Sequence, residues 1–151
     1  PIFVARQIQR HRAFSYNEVS RRYVKGGLEF YWPSMWRASA PGIKQGSLTE
    51  PAVWMDEGQV TCMQQLVKEL ARSYNEMLDN GVCAEQARMI LPQNLYTEFY
   101  MTGDLRNWAH FLNLRLDKHA QEEARDIARQ CADIIRPLFP HSLAALLEME
   151  L

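Results

Sequence analysis

The chain has 151 residues, the size of one ordinary domain, with 47% apolar and 23% charged residues and a net charge of −1. That balance excludes binding to nucleic acid or membrane by bulk charge, and no apolar run reaches the roughly 18 residues that span a bilayer. Cys62, Cys83 and Cys131 form no paired or zinc-like spacing and are expected as buried small hydrophobes in a reducing, cytoplasmic setting.

In chain order, PIFVARQIQRHR reads as a helix, since Pro suits a first turn and Ile2, Phe3, Ala5 and Ile8 recur at helical spacing. A short strand is the alternative, because Ile, Phe and Val favour sheets. The apolar opening without Met, cap or turn predicts that 1–151 is the C-terminal, larger part of a single domain with a further segment upstream. Residues 13–26 have no clean period. LEFYW, closed by Pro33, reads as a strand, and 33–50, rich in Gly, Pro and Ser, as a long loop. Val60, Met63, Val67, Leu70, Tyr74 and Met77 form a helical stripe from Asp56 to Asn80, ended by Asn80-Gly81, and are expected as core or subunit contact. AEQARMILP is a short helix stopped before Pro92, and LYTEFYMTG a strand. Asp104 caps LRNWAHFLNLRL. A long helix follows over 119–138 with Ala124, Ile127, Cys131 and Ile134 or Ile135 inward, then a tail after Pro140. The count predicts an α+β fold, a small antiparallel sheet packed with several helices.

Basic residues cluster early. Residues 6–25 hold Arg6, Arg10, Arg12, Arg21, Arg22 and Lys25 against Glu18 alone. On a helix Arg10, His11 and Arg12 point about 100° apart and can reach different groups, unless they are a solvated helix end. If NEVSRRY is extended, Glu18, Ser20 and Arg22 share one side, a set suited to a sugar phosphate. A polar surface strand is the alternative. Further along, Trp108, Phe111, Leu112 and Arg115 share a helix face, which calls for an anionic ligand, a carbonyl, or an Asp or Glu partner for the guanidinium. Arg106, His110 and Asn113 form a polar ridge on the other side, and Arg88 is a further cation. No dinucleotide-binding glycine motif, P-loop or metal motif is present.

The string RHRAFSYNEVSRRY resembles the signature of the flavin-dependent thymidylate synthases, R-H-R followed by S-x-N-E-x-S-x-R-Y. PIFVARQ, ARMILP before NLYTEFY, and FLNLRLDKHAQEE are similar to that family in the same order. The resemblance implies a homotetramer with active sites between subunits. It implies methylation of dUMP to dTMP, with methylenetetrahydrofolate as one-carbon donor and FAD reduced by NADPH. By position, Gln7, Arg10, Glu18, Val19, Ser20, Arg21, Arg22, Arg88 and Arg115 would hold dUMP, Arg115 being the catalytic arginine that polarises the uracil. Arg10, His11, Arg12, Glu18, Asp104, Leu105, Arg106 and His110 would line FAD. No metal, nucleic acid or membrane partner is implied. The alternatives are a non-catalytic nucleotide- or RNA-binding module, and an inactive fragment of the synthase.

Overall fold

The computed structural model describes residues 1–20, 22, 27–42 and 46–147. Arg21, Lys25 and the end of the expected tail, 148–151, lie outside the described residues. The fold is α+β, with two small antiparallel sheets against a set of helices.

Helix α1 (Ile2–Ile8) opens the chain. It is shorter than the spacing predicts, because the backbone turns at Gln9 and Arg10, so Arg10, His11 and Arg12 are not helical. Two of its otherwise unpaired first-turn N–H groups are satisfied from elsewhere: Ile2 donates to the Leu95 carbonyl (2.9 Å) and Phe3 to that of Gln93 (3.1 Å). The Tyr16 hydroxyl lies 3.0 Å from both the Ile8 and His11 carbonyls and ties the turn down.

Strand β1 (Ser15–Glu18) then pairs antiparallel with β4 (Phe99–Thr102), Tyr16 opposite Met101 and Glu18 opposite Phe99. Side chains alternate across a strand, so Tyr16, Phe99 and Met101 pack on the core while Tyr100 faces out, 77% exposed. LEFYW forms no strand. It supplies one bridge, Phe30 to Leu95, and Tyr31 and Trp32 line a groove instead. The expected long loop contains a hairpin, β2 (Arg37–Ser39) with β3 (Ser47–Pro51), irregular in register between Arg37 and Ser39.

Helix α2 (Glu57–Asp79) has the predicted limits. The Asp56 side chain accepts from Gln59 N, and Gly81 takes φ +84° just past the end. Of its stripe only Val67 and Tyr74 are buried, and Leu66 is 58% exposed. Cys62 and Cys83 are exposed and Cys131 half-buried, which corrects the expectation of three core cysteines. α2 packs on α3 (Ala84–Ala87) and the 3-10 turn Arg88–Ile90, so most of its circumference, Cys62 included, stays uncovered.

The core lies between α1, β1 and β4 on one side and α4 (Leu105–Arg115), α5 (Glu122–Leu138) and α6 (Pro140–Leu146) on the other. Asp104 caps α4 as predicted, accepting from Asn107 N at 2.8 Å. On α5 the buried positions are Ala124, Ala128 and Ala132, four apart, whose small side chains let α5 approach its neighbours. Ile127, Cys131 and Ile135 flank that stripe, whereas Ile134 is 66% exposed.

Gly103, between β4 and α4, sits against Phe14: a Cβ there would lie 2.5 Å from Phe14 Cδ1. Phe14 is itself held edge-on by Trp108 at 5.0 Å and cannot swing aside freely. Gly103→Ala should therefore destabilise the fold by about 1–3 kcal/mol, read from denaturant midpoints, while a shift below about 0.5 kcal/mol would show that the contact relaxes. The hairpin is tethered to α5 by one half-buried ion pair, Arg37 to both Glu123 oxygens at 2.8 and 2.9 Å. Glu123→Ala should speed amide exchange in 37–39 and 47–51 ahead of the rest of the chain.

Candidate functional site

α1 separates two pockets. Ile2 and Arg6, four residues apart, face one; Gln7, about 100° further round, faces the other, together with Arg10 beyond the helix end. The first pocket, about 670 Å³, is lined by Arg6, Glu18, Val19, Ser20, Arg88 and Thr97 among others. The second, about 640 Å³, is lined by Gln7, Arg10, Arg37, Ser47, Arg115 and Gln121 among others.

The first pocket gathers most of the NEVS residues. Val19 N donates to the Glu98 carbonyl (2.9 Å), which extends the β1–β4 pairing by one residue and delivers Ser20 to the rim. Glu18 accepts from Gln9 Nε2 (2.9 Å) and Thr97 Oγ1 (2.6 Å), so internal donors hold its carboxylate in place. Arg22 does not share a free face with Glu18 and Ser20: its guanidinium pairs with Glu85 at the pocket edge. Arg88 is exposed, with its Nε donating to the Glu85 carbonyl at 3.3 Å. Arg6, which lies outside the motif string, enters the pocket with no side-chain partner among the described residues. Its four-residue spacing from Ile2 was the available signal.

The second pocket centres on Arg115, which pairs with neither Asp nor Glu among the described residues. Its Nε donates to His11 Nε2 (2.9 Å) and its Nη2 to the Gln7 carbonyl (3.2 Å). Burial, then the charge of Arg10, lowers its pKa. Gln7 reaches Gln121 through its side-chain amide, and Gln121 reaches Glu123 (2.9 Å). Burial alone would raise the Glu123 carboxyl, but its own backbone N–H, Gln121 and Arg37 together hold it below the ordinary range. Gln121 and Glu123 belong to the FLNLRLDKHAQEE block but have no role assigned by it, whereas Arg37 lies in no such block and reaches the pocket through the folded hairpin.

His11 is 8% exposed, its ring edge-on to Phe111 at 5.0 Å and 6.2 Å from His110. Burial, then the Arg115 charge, then His110, push its pKa down to about 4. Arg10 and Arg12 flank it, exposed, and the side chains of Arg10, Arg12 and Arg106 meet no acceptor among the described residues. His110 and Arg106 are exposed on α4, and Leu105 packs on the core. Asn113 leaves the expected ridge, because its amide donates to the Leu146 carbonyl (3.1 Å) and holds α6.

The fold is shared with a known nucleotide methylase. The chain aligns with the UMP/dUMP methylase PolB from Streptomyces cacaoi bound with 5-Br UMP at a TM-score of 0.83 and 28% identity, over 97% of this chain and 70% of that one. The same protein bound with 5-Br dUMP aligns at 0.82. Residues 1–141 match the family model described as thymidylate synthase complementing protein, and the chain belongs to that family. It is 46% identical over 148 residues to the flavin-dependent thymidylate synthase of Thermus thermophilus, covering 98% of this chain and 54% of the relative. To those of Thermotoga neapolitana and Dictyostelium discoideum it is 41% and 38% identical. The chain spans about half to two thirds of the length of these relatives. Among the described residues no helix is long and apolar enough to cross a membrane.

The depressed His11 value has a pH consequence. From about 6.5, the ordinary histidine value, down to about 4, the unfolded chain binds a proton that folded His11 refuses, so stability falls as pH drops through that window. The Tm of the native protein should decline more steeply between pH 6.5 and 4 than that of His11→Gln. Parallel profiles would show that His11 does not contribute.

Proposed function

We propose that this chain carries the nucleotide- and flavin-binding part of a flavin-dependent thymidylate synthase. The reaction is the reductive methylation of dUMP to dTMP, with methylenetetrahydrofolate as one-carbon donor and FAD reduced by NADPH, in the cytoplasm. The carrying observation is the division of cations by α1. Glu18, Val19, Ser20 and Arg88 line one pocket and Gln7, Arg10 and Arg115 the other. A mononucleotide has a phosphate end and a base end. The first set, with serine hydroxyl and guanidinium, suits the phosphate and sugar; the second suits the uracil. The two sets open on opposite sides of one helix, which supports a site completed by a second copy of the chain, a homotetramer with sites between subunits.

In this reading Arg88 and Ser20 bind the phosphate, joined by Arg21 and Arg22. Glu18, fixed by Gln9 and Thr97, accepts from the sugar or the flavin. Arg10 and Arg12 flank His11 and, with Arg106 and His110 on α4, form the edge that takes the flavin's phosphates, while Asp104 and Leu105 begin that helix. The bound flavin supplies hydride chemistry. The protein's part is position and charge. Arg115, aimed into its pocket without an acid partner among the described residues, stabilises negative charge that develops on the pyrimidine, an effect strongest where water is excluded.

The test is to load the protein with FAD and follow tritium release from labelled dUMP. Protein that takes up flavin, shows a dUMP-dependent change in its spectrum and releases tritium fits the reading; protein that takes up no flavin removes it. Arg115→Ala should lower turnover by about 10²-fold or more with flavin content nearly unchanged. Equal loss of both would make Arg115 structural.

A further inference from the structure

We propose that His11 is a positioning residue for Arg115: its neutral imidazole aims the guanidinium at the second pocket while leaving the positive charge uncancelled. This rests on the thymidylate synthase reading for its kinetic consequence, but the contact itself does not.

Of the three arginines that line the second pocket, Arg37 and Arg115 are held in opposite ways. Arg37 gives its Nη2 to both Glu123 oxygens and its Nε to Ser47 Oγ (2.7 Å). A carboxylate cancels its charge, and the ion pair tethers the hairpin. Arg115 gives its Nε to an imidazole and one Nη2 proton to a backbone carbonyl. Both acceptors are neutral. A guanidinium has five N–H donors, so three remain for the pocket. Arg10, the third arginine on the same lining, adds to the local positive potential.

His11 is built for such a role. Its N–H donates to the Ile8 carbonyl (3.1 Å), and its own carbonyl lies within reach of the Tyr16 hydroxyl, so the backbone is pinned on both sides. The ring is wedged against Phe111 in the core, which fixes its plane. An arginine Nε can only donate, so His11 Nε2 must accept, and the proton of the neutral ring sits on Nδ1. With Nε2 occupied and the ring 8% exposed, His11 is not available as a general base through that nitrogen. An acid here would hold Arg115 as firmly but would neutralise it, and a leucine would pack as well but let the guanidinium turn.

Three variants separate these features: His11→Leu removes the acceptor, His11→Asp keeps an acceptor but adds a negative charge, and His11→Gln keeps a neutral one. In flavin-loaded protein, with rates normalised to flavin content, His11→Leu and His11→Asp should each lower kcat about 10²-fold, with KM for dUMP within about threefold. His11→Gln should run at least tenfold faster than His11→Leu. In an Arg115→Ala background His11→Leu should cost less than about threefold more, because its effect passes through Arg115. Full additivity in that cycle would overturn the proposal. Independently of activity, the 15N spectrum of labelled His11 at pH 7 should show Nδ1 protonated and Nε2 unprotonated and hydrogen-bonded. A doubly protonated ring, or the Nε2–H tautomer, would overturn it as well. If native protein binds no flavin and releases no tritium from dUMP, the functional reading fails, and the tautomer still decides the contact.

Discussion

The docking of α1 is the constraint on which the rest depends. Its first N–H groups are bonded to carbonyls of the 93–95 segment, and Val4 and Ile8 are buried in the main core. One end is therefore fixed by hydrogen bonds to a loop and one face by packing on helices. A short helix of seven residues would not persist alone in water. Held in this way, it acts as a partition: Arg6 and Gln7 are adjacent in sequence yet serve different pockets. The tight turn that follows places Arg10 and Arg12 outside and His11 inside.

The second consequence of that turn is electrostatic. Burying a charge is costly unless something compensates, and an acid is the usual answer. Glu123 gives that answer for Arg37. Arg115 instead relies on neutral acceptors and on its part exposure to the pocket, which leaves its stabilisation incomplete until an anion arrives. This is the arrangement expected where protein charge is meant for a ligand and not for the fold. It also explains why a histidine tolerates so deep a position, since next to a cation the neutral form is favoured twice, by burial and by repulsion.

Much of the scaffold was legible because it follows short-range rules. Asp56 and Asp104 each stand three residues before an amide they cap, and Asn80-Gly81 offers the positive φ that closes a helix. The hairpin at 37–51 reads as loop because its strands are short and irregular in register and Pro41, Gly42 and Gly46 stand between them. LEFYW has strand composition, yet Tyr31 and Trp32 are drawn into an apolar groove against α2, a tertiary preference that propensity does not contain. On α5 Ala124 is buried and Ile127, Cys131 and Ile135 pack on the core as the spacing predicts, while Ile134, the alternative to Ile135, is left out and Ala128 and Ala132 complete the close-packed stripe. In the site, Glu18, Val19 and Ser20 of the motif string line one pocket. The angular reading of Arg10–Arg12 assumed a helix that stops at Ile8. The pairing of His11 with Arg115 spans 104 positions and has no local signature.

The partition by α1 also bears on how such a protein would behave when dilute. If a nucleotide must be gripped by one pocket from each of two chains, then neither chain alone is a weak version of the site; it is half of one. Specific activity would then not be a constant of the molecule but a function of its own concentration, collapsing once the assembly dissociates. Two variants, each damaged on a different side of α1, could restore a working site between them when mixed, because each would lend the other its intact face.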